Sequence, residues 1–316
     1  MVDALEIQYL LLATMVYACQ IGILSVAFSL NYITDDIPNF ALGGIIGTGH
    51  LISWTTAKEM GLTPYSGLPA AFLIGGLINA ALFLGIIERL EKAGRNLVLI
   101  TIATIGIEFI VSSFNRIWWG WMRERIPWDL SLFLKDSDLH LFGYPGVFYF
   151  SVAAAISAFT FVKYIFPRLN AGRVFVAVSE NPELASIQGI NIRRVKTFTW
   201  FVSGGIACLI GAIFPLFWHS SPSGTYYLVA VGLVGGILGG VMNPVHAMIG
   251  GLMLGVLELS MVLVGQKLVG VWFGAYRPII PTLILALVLY FAPEGLVKYK
   301  SRKRNRGNFG RYLHRW

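Results

Sequence analysis

The sequence predicts an all-α integral membrane protein with about nine transmembrane helices, within a range of eight to ten. Hydrophobic residues make up 56% of the 316-residue chain and charged residues only 13%, whereas soluble domains carry roughly 25% charged residues. The mean hydropathy is +0.70. The apolar runs are about 20 residues long and do not alternate with polar residues, which favours helices over the strands of a barrel.

Nine apolar segments follow one another along residues 1–297, which we expect to form a single transmembrane domain. The second and seventh are short and glycine-rich, and are candidates for bent or incomplete spans. No basic residue precedes the first segment, so we expect it to remain as a span and not to be cleaved as a signal peptide. The segments are 7–32, 40–57, 66–88, 97–117, 144–166, 195–218, 225–242, 244–264 and 278–293.

The positions of lysine and arginine predict the orientation. Eight of the 24 Lys and Arg residues lie in the last 19 residues, 298–316, and such a tail after a span is held at the cytoplasmic face by anionic lipid. Nucleic-acid binding is the alternative for this tail, and we expect no nucleic-acid partner. With the C-terminus inside the plasma (inner) membrane, 17 of these residues lie inside and seven outside.

Two polar connections are long. Residues 118–143 should lie outside, where Trp118, Trp119, Trp121 and Trp128 suit an interfacial belt. Residues 167–194 should form a cytoplasmic loop.

A short repeat suggests internal symmetry. Residues 74–77 (Ile-Gly-Gly-Leu) recur as 249–252, each after a glycine-rich segment. Segments 1–4 and 6–9 would run in opposite directions, as in transporters built from inverted repeats. The alternative is a chance likeness between glycine-rich helices.

Glycines four residues apart indicate close packing of helices. Gly232, Gly236 and Gly240 would share one helix face, as would Gly43 and Gly47. Helices in lipid associate through such close backbone contact, so packing is the favoured interpretation. The alternative is that these glycines leave room for a pathway or let helices slide.

A short, strongly capped helix is predicted over residues 182–188. Asn181 is a favoured N-cap, and Pro182 suits the first helical position. Glu183 lies beside the positive end of the helix dipole, and Gly189 can adopt the left-handed conformation that ends a helix.

This short helix carries an apolar edge made by Leu184 and Ile187, three residues apart. It is either an ordinary capped turn between spans or a knob that docks into a partner protein.

Residues 179–196 resemble the cytoplasmic loop of ABC-transporter permeases of the branched-chain amino acid type. The similarity covers most of the chain, apart from 118–143 and the extreme tail. It continues in 39–41, 47–49, 99–106, 201–212, 221–224, 235–240, 249–258 and 293–296.

The resemblance implies a coupling helix seated on a cytoplasmic ATPase. It implies a second permease chain, two ABC ATPase subunits that bind ATP and magnesium, and an external solute-binding protein. The chain has no Gly-x-x-x-x-Gly-Lys-Ser/Thr phosphate loop, so we expect no cofactor here and ATP hydrolysis in a separate subunit. The coupling residues would be Asn181, Pro182, Glu183, Leu184, Ala185, Ile187 and Gly189.

One position departs from the family pattern. After Asn39-Phe-Ala41 the family commonly continues His-Gly-Glu, whereas this chain has Leu42-Gly43-Gly44. The solute therefore stays open among branched-chain amino acids, short amides and urea-like compounds.

Two glutamates lie inside apolar segments, Glu108 near the centre of the fourth and Glu258 in the eighth. A carboxylate at membrane depth is costly and faces a cavity or a partner. For Glu108 pathway lining and packing are equally favoured, and for Glu258 packing is favoured. Asn39 is a further candidate for packing or the pathway.

No catalytic grouping or metal-ligand spacing is visible, and the two cysteines lie in apolar segments. We therefore expect a transport subunit and not an enzyme. The alternatives are a secondary transporter or channel driven by ions through Glu108 or Glu258, and an integral-membrane enzyme.

Overall fold

A computed structural model describes residues 4–125, 133–141, 143–219, 225–291 and 296. These residues form an all-α bundle with one small antiparallel pair of strands, β1 His140–Leu141 and β2 Tyr144–Pro145. The predicted all-α class is confirmed. The helices are α1 Ala4–Asp35, α2 Leu42–Trp54, α3 Leu68–Leu82, α4 Glu88–Lys92, α5 Leu97–Arg125, α6 Gly146–Thr160, α7 Asn170–Glu180, α8 Pro182–Ile187, α9 Ile192–Ile213, α10 Thr225–Gly239, α11 Pro244–Val269 and α12 Ile279–Phe291.

Short π and 3-10 turns extend several of these helices. The π turns are Thr55–Glu59 after α2, Phe83–Ile87 between α3 and α4, and Phe161–Ile165 after α6. The 3-10 turns are Pro64–Gly67, Lys135–Ser137, Phe166–Arg168, Phe214–Leu216 and Val271–Tyr276.

Within the described part of the chain, six helical segments are long and apolar enough to cross a membrane. Two shorter apolar helices, Tyr227–Gly239 and Ile279–Phe291, accompany them, and α2 has 13 residues. Each of the nine predicted segments thus contains a helix, and six have the length of a full span. The six are Gln8–Asp35, Pro64–Lys92, Leu97–Glu124, Gly146–Arg168, Ile192–Leu216 and Pro244–Val269.

The two long connections differ from the prediction. Helix α5 continues to Arg125, so Trp118, Trp119 and Trp121 lie on a helix and not in a loop. Trp119 contacts Trp54 of α2 edge to face, with ring centroids 5.4 Å apart. This contact packs the last turns of α5 against α2, which explains why the helix extends beyond its apolar run.

The loop at 167–194 contains a helix that the apolar segments do not reveal, α7. It is amphipathic, with Phe175 and Val178 buried, so it forms no continuous apolar run. Trp128 and the basic tail 298–316 lie outside the described residues.

Glycine contacts hold the centre of the bundle together. A Cβ on Gly251 of α11 would lie 2.8 Å from Gly22 Cα of α1, and one on Gly255 would lie 2.6 Å from Ala18 Cα. In α3, a Cβ on Gly75 would meet the side chain of Cys208 in α9. The backbones of α1 with α11, and of α3 with α9, therefore approach closely because these residues lack side chains.

The predicted glycine face of α10 is partly wrong. The helix ends at Gly239, and Gly240 has a φ of +108°, a conformation that favours glycine. A Cβ on Gly236 would find its nearest atoms 3.6 and 3.9 Å away, so no tight contact requires glycine there. The close contacts come from Gly232 against α1, Gly235 against α1 and α11, and Gly239 against α11. The face shifts because the chain turns at residue 240 to enter α11.

The bundle has two distinct ends. The coupling end, as we name it, comprises the end of α1, α4, α7, α8 and the first turn of α9. The far end holds the start of α1 and residues 59–67, 133–141, 143–145, 214–219 and 271–278. At the far end, Tyr65 donates to Asp138 over 2.5 Å and the Leu134 amide donates to the Pro215 carbonyl over 2.8 Å.

Candidate coupling turn and buried polar sites

Helix α8 forms as a short capped helix. The Asn181 side chain accepts a hydrogen bond from the Leu184 amide over 3.0 Å, and Pro182 occupies the first turn. Gly189 has a φ of +82°, and the Ile190 amide donates to the Ala185 carbonyl over 3.1 Å. The helix ends at Ile187, one residue earlier than predicted, with both caps in the expected places.

The turn presents an apolar edge away from its own chain. Leu184 is 57% exposed and Ile187 is 80% exposed, whereas Ala185 is 3% exposed. Glu183 is exposed beside this edge. We name Leu184 and Ile187 the coupling edge. Ala185 packs inward, so it anchors the turn and offers no surface to a partner.

An ion-pair cluster joins the start of α9 to the end of α1 and to α4. Lys196 Nζ lies 2.8 Å from Asp35 Oδ1 and 2.9 Å from Glu91 Oε1, and its side chain is 15% exposed. The Trp200 indole also donates to Asp35, over 2.7 Å. A displacement of the segment that carries α8 would therefore act on two other spans.

A second, more exposed pair lies beside it. Arg193 Nε is 2.8 Å from Glu88 Oε1, and Lys92 Nζ is 2.7 Å from the same atom. The sequence analysis missed this cluster. The sequence does carry a signal for it: Arg193 and Lys196 are three residues apart, and so are Glu88 and Glu91. This spacing places each pair on one helix face.

Asn39 belongs to a buried polar network between spans. Its side-chain amide donates to Asn79 Oδ1 over 3.2 Å. Asn79 donates in turn to the Trp200 carbonyl over 2.7 Å and to Ser203 Oγ over 3.0 Å, and Ser203 Oγ donates to Asn31 Oδ1 over 2.7 Å. Asn39 thus ties the turn between α1 and α2 to α3.

Glu108 is 3% exposed and accepts a hydrogen bond from Ser112 over 2.6 Å. Gly43 lies against it, since a Cβ on Gly43 would be 3.3 Å from Glu108 Cγ and 2.6 Å from Val229 of α10. Gly43 therefore lets α2 pack against both α5 and α10. Gly47 is buried one turn later in α2.

Glu258 is fully buried in a cluster of aromatic and basic groups at the far-end half of α11. Its carboxylate accepts from Tyr17 over 3.0 Å, from Arg277 Nε over 2.6 Å and from Tyr227. The Arg277 guanidinium carbon lies 4.5 Å from the centre of the Tyr17 ring. Glu258 is thus paired, and no periodic sequence signal links it to Arg277.

Among the described residues, no group of three or more His, Cys, Asp or Glu side chains could hold a metal ion. The polar sites are hydrogen-bonded or ion-paired links between helices, and they can transmit or resist movement of one helix against another.

Comparison with known proteins gives a consistent result. Residues 10–292 match a family described as branched-chain amino acid transport system, permease component. The chain is 26% identical over 292 residues to a probable branched-chain amino acid transport permease protein LivH of Methanocaldococcus jannaschii, covering 92% of each chain. It is 25% identical over 294 residues to the high-affinity branched-chain amino acid transport system permease protein LivH of Escherichia coli K12, covering 87% of this chain and 90% of that one.

The fold is also similar to a solved structure titled PsaBC from Streptococcus pneumoniae in complex with Fab. The TM-score is 0.51 at 14% sequence identity, covering 93% of this chain and 95% of the other. At this identity the likeness concerns the fold alone.

Proposed function

The chain belongs to the family of permease components of branched-chain amino acid transport systems, and we propose that it is the membrane-spanning subunit of an ATP-driven importer for branched-chain amino acids. The resemblance found in residues 179–196 is confirmed at the level of the family. The chain is a multi-pass inner-membrane protein and a transport subunit.

The observation that carries the mechanism is the exposed coupling edge on a turn tied to other spans. Covering Leu184 and Ile187 with a partner would stabilise the complex by about 1.5–3 kcal/mol for each side chain buried. Force applied to α8 would pass through Lys196 to Asp35 of α1 and Glu91 of α4. Closure of an ATPase would in this way reach three spans at once.

The partners we propose are two cytoplasmic ABC ATPase subunits that bind ATP and magnesium, a second permease chain and an external solute-binding protein. The ATPase subunits would cover the coupling edge. One face of α5 is exposed and apolar along its length, through Phe109, Ile110, Phe114 and Ile117. Membrane lipid or the second permease chain would cover this face.

Nine crossings and an inverted repeat are part of the proposal. Under such a repeat α1 corresponds to α9, α2 to α10, α3 to α11 and α5 to α12. The pair α1–α11 would then correspond to α3–α9, and both pairs pack through glycines. With the coupling end in the cytoplasm, the N-terminus lies outside and the tail, residues 298–316, inside.

The solute assigned here is a branched-chain amino acid, and short amides or urea-like compounds are the other outcomes of a transport assay. We assign Gly43 to packing and not to the lining of an open pathway, because Val229 and Glu108 occupy the space beside it. We assign Glu108, Gly47 and Gly232 to packing. Gly236 has space beside it, and Gly240 serves the turn before α11.

Reconstitution of the assembly in liposomes tests this proposal. Leu184→Asp with Ile187→Asp should remove most ATP-dependent leucine uptake while the ATPase continues to hydrolyse ATP, because a charged edge cannot be buried in the partner. Gln188→Glu adds a charge next to the edge and should leave uptake nearly unchanged. Unchanged uptake in the double variant contradicts the docking role.

A second experiment distinguishes the importer from the ion-coupled alternative. If the chain alone moved solute without an ATPase and without nucleotide, the importer assignment would be wrong and a secondary transporter or channel would replace it.

A further inference from the structure

A cavity of about 490 Å³ opens at the far end of the bundle, opposite the coupling end. This volume lies within the range of roughly 300–1,000 Å³ typical of small-molecule sites. Its walls come from α2, from the turn after α9, from α10 and from the turn before α12. The side chains that matter below are His50, Phe214, Trp218, Leu228 and Arg277.

Three of the side chains that line this cavity have a buried polar atom without a hydrogen-bond partner among the described residues. The atoms are His50 Nε2, Trp218 Nε1 and Arg277 Nη2. His50 itself is fully buried. A buried polar group without a partner costs about 1–3 kcal/mol, so three around one cavity indicate a ligand that would satisfy them.

The three atoms have a defined polarity. His50 Nδ1 lies 2.9 Å from the Ile46 carbonyl, and a carbonyl only accepts, so Nδ1 carries the proton. A neutral ring then presents an acceptor at Nε2, whereas the indole and guanidinium nitrogens are donors only. The side chains that line the cavity therefore carry two donors without a partner, one of them cationic, and one acceptor without a partner.

This arrangement fits the two ends of a free α-amino acid. Resting on the proposed function, we infer that the cavity receives the amino acid at the outer face: its carboxylate accepts from Arg277 and Trp218, and its ammonium donates to His50. Phe214 and Leu228 line the same cavity and supply apolar surface for a branched side chain.

Charge balance favours a zwitterion over a simple anion. Arg277 is already neutralised by Glu258, whose carboxylate lies 2.6 Å from its Nε. A second negative charge would be left uncompensated in this partly buried site. A zwitterion adds no net charge, and its own ammonium is met by His50.

The cluster behind the cavity holds Arg277 in place. Glu258 binds Nε, and the rings of Tyr17, Tyr227 and Trp218 lie 4.5, 5.1 and 5.7 Å from the guanidinium carbon. A guanidinium fixed in this way loses little conformational freedom when a carboxylate binds. Glu258 is thus a positioning residue for the proposed site.

The test is ligand binding to the complete importer assembly in nanodiscs, without the solute-binding protein. L-leucine, L-leucinamide and 4-methylvalerate are compared by thermal stabilisation. Leucine should bind about tenfold more tightly than either analogue, because each lacks one charged end and a hydrogen bond to a charged group contributes about 1.5–3 kcal/mol.

Two variants locate the binding. Trp218→Phe keeps an aromatic ring at this position and removes the indole N–H donor, so leucine affinity should fall about tenfold. The control is Trp272→Phe, at an exposed far-end tryptophan, which should leave the affinity unchanged. His50→Met replaces the imidazole nitrogen by a thioether sulfur, which is a much weaker acceptor, so leucine and 4-methylvalerate should then bind nearly alike. This loss of selectivity tests the site even if Trp218→Phe fails to fold.

The outcomes separate this inference from the proposed function. Suppose that the unmodified assembly takes up leucine. If the analogues then bind as tightly as leucine, or if Trp218→Phe and His50→Met bind leucine as the wild type does, the proposed site is wrong and the proposed function stands. Absence of ATP-driven leucine uptake by the unmodified assembly counts against the proposed function itself.

Discussion

At the scale of single residues, the buried charges explain most of the polar architecture. Lys196 lies between Asp35 and Glu91 at the coupling end, and Arg277 neutralises Glu258 near the far end. A charge removed from water requires a partner, and loss of one partner leaves the other uncompensated. These pairs therefore fix the relative positions of spans that are remote in sequence.

Removing the Lys196 side chain should destabilise the coupling end of the molecule. Lys196→Met leaves two neighbouring carboxylates without their cation, which should destabilise the protein by about 3 kcal/mol and lower its midpoint of thermal unfolding in detergent. Arg193→Met is the matched control, because the Arg193 side chain is 60% exposed and its partner Glu88 keeps a second cation, Lys92, at 2.7 Å. Equal midpoints for the two variants would contradict the buried role of Lys196.

The sequence predicts a buried polar role for some of these residues and not for others. Glu258 stood out because a carboxylate in an apolar run is costly, and packing was the favoured interpretation. Its partner Arg277 is not predicted from the sequence, since nothing in helical periodicity joins two residues on either side of a turn. Contacts of this kind are fixed by tertiary packing and leave no local pattern.

At the scale of elements, the glycines decide which helices meet. Gly251 and Gly255 bring α11 against α1, and Gly75 brings α3 against α9. Gly75 and Gly251 both belong to the repeated Ile-Gly-Gly-Leu motif, which suggests internal symmetry and does not by itself predict which helices meet. The spacing of four in α10 gives a wrong prediction at Gly240, because spacing alone does not show where a helix ends.

Two alanine substitutions distinguish a contact glycine from a free one. Gly251→Ala places a Cβ 2.8 Å from both Gly22 Cα and the Ile21 carbonyl, so α1 and α11 must separate and the yield of folded protein should fall. Gly236→Ala meets its nearest atom at 3.6 Å and should be neutral or slightly stabilising, because alanine favours a helix over glycine by about 0.5–1 kcal/mol. Fluorescence-detected size-exclusion chromatography measures both, and a reversed order would contradict the packing described here.

At the scale of the whole molecule, hydropathy predicted the class and the positions of all nine helical segments. Two features escaped it. Helix α7 is amphipathic, and α5 extends beyond its apolar run because its last turns pack on α2. The capped turn α8 was predicted almost to the residue because its caps are local in sequence, whereas the cluster that ties it to α1 and α4 is not.

Coupling to ATP hydrolysis requires that α8 lies in the cytoplasm against an ATPase, and site-specific photo-crosslinking tests this most directly. A benzoylphenylalanine at Ile187, in the assembled transporter in native membranes, should crosslink to the ATPase subunit. The same probe at Met60, 64% exposed at the far end, should not. Crosslinks to the ATPase from position 60, or none from position 187, would contradict the coupling role and the orientation together.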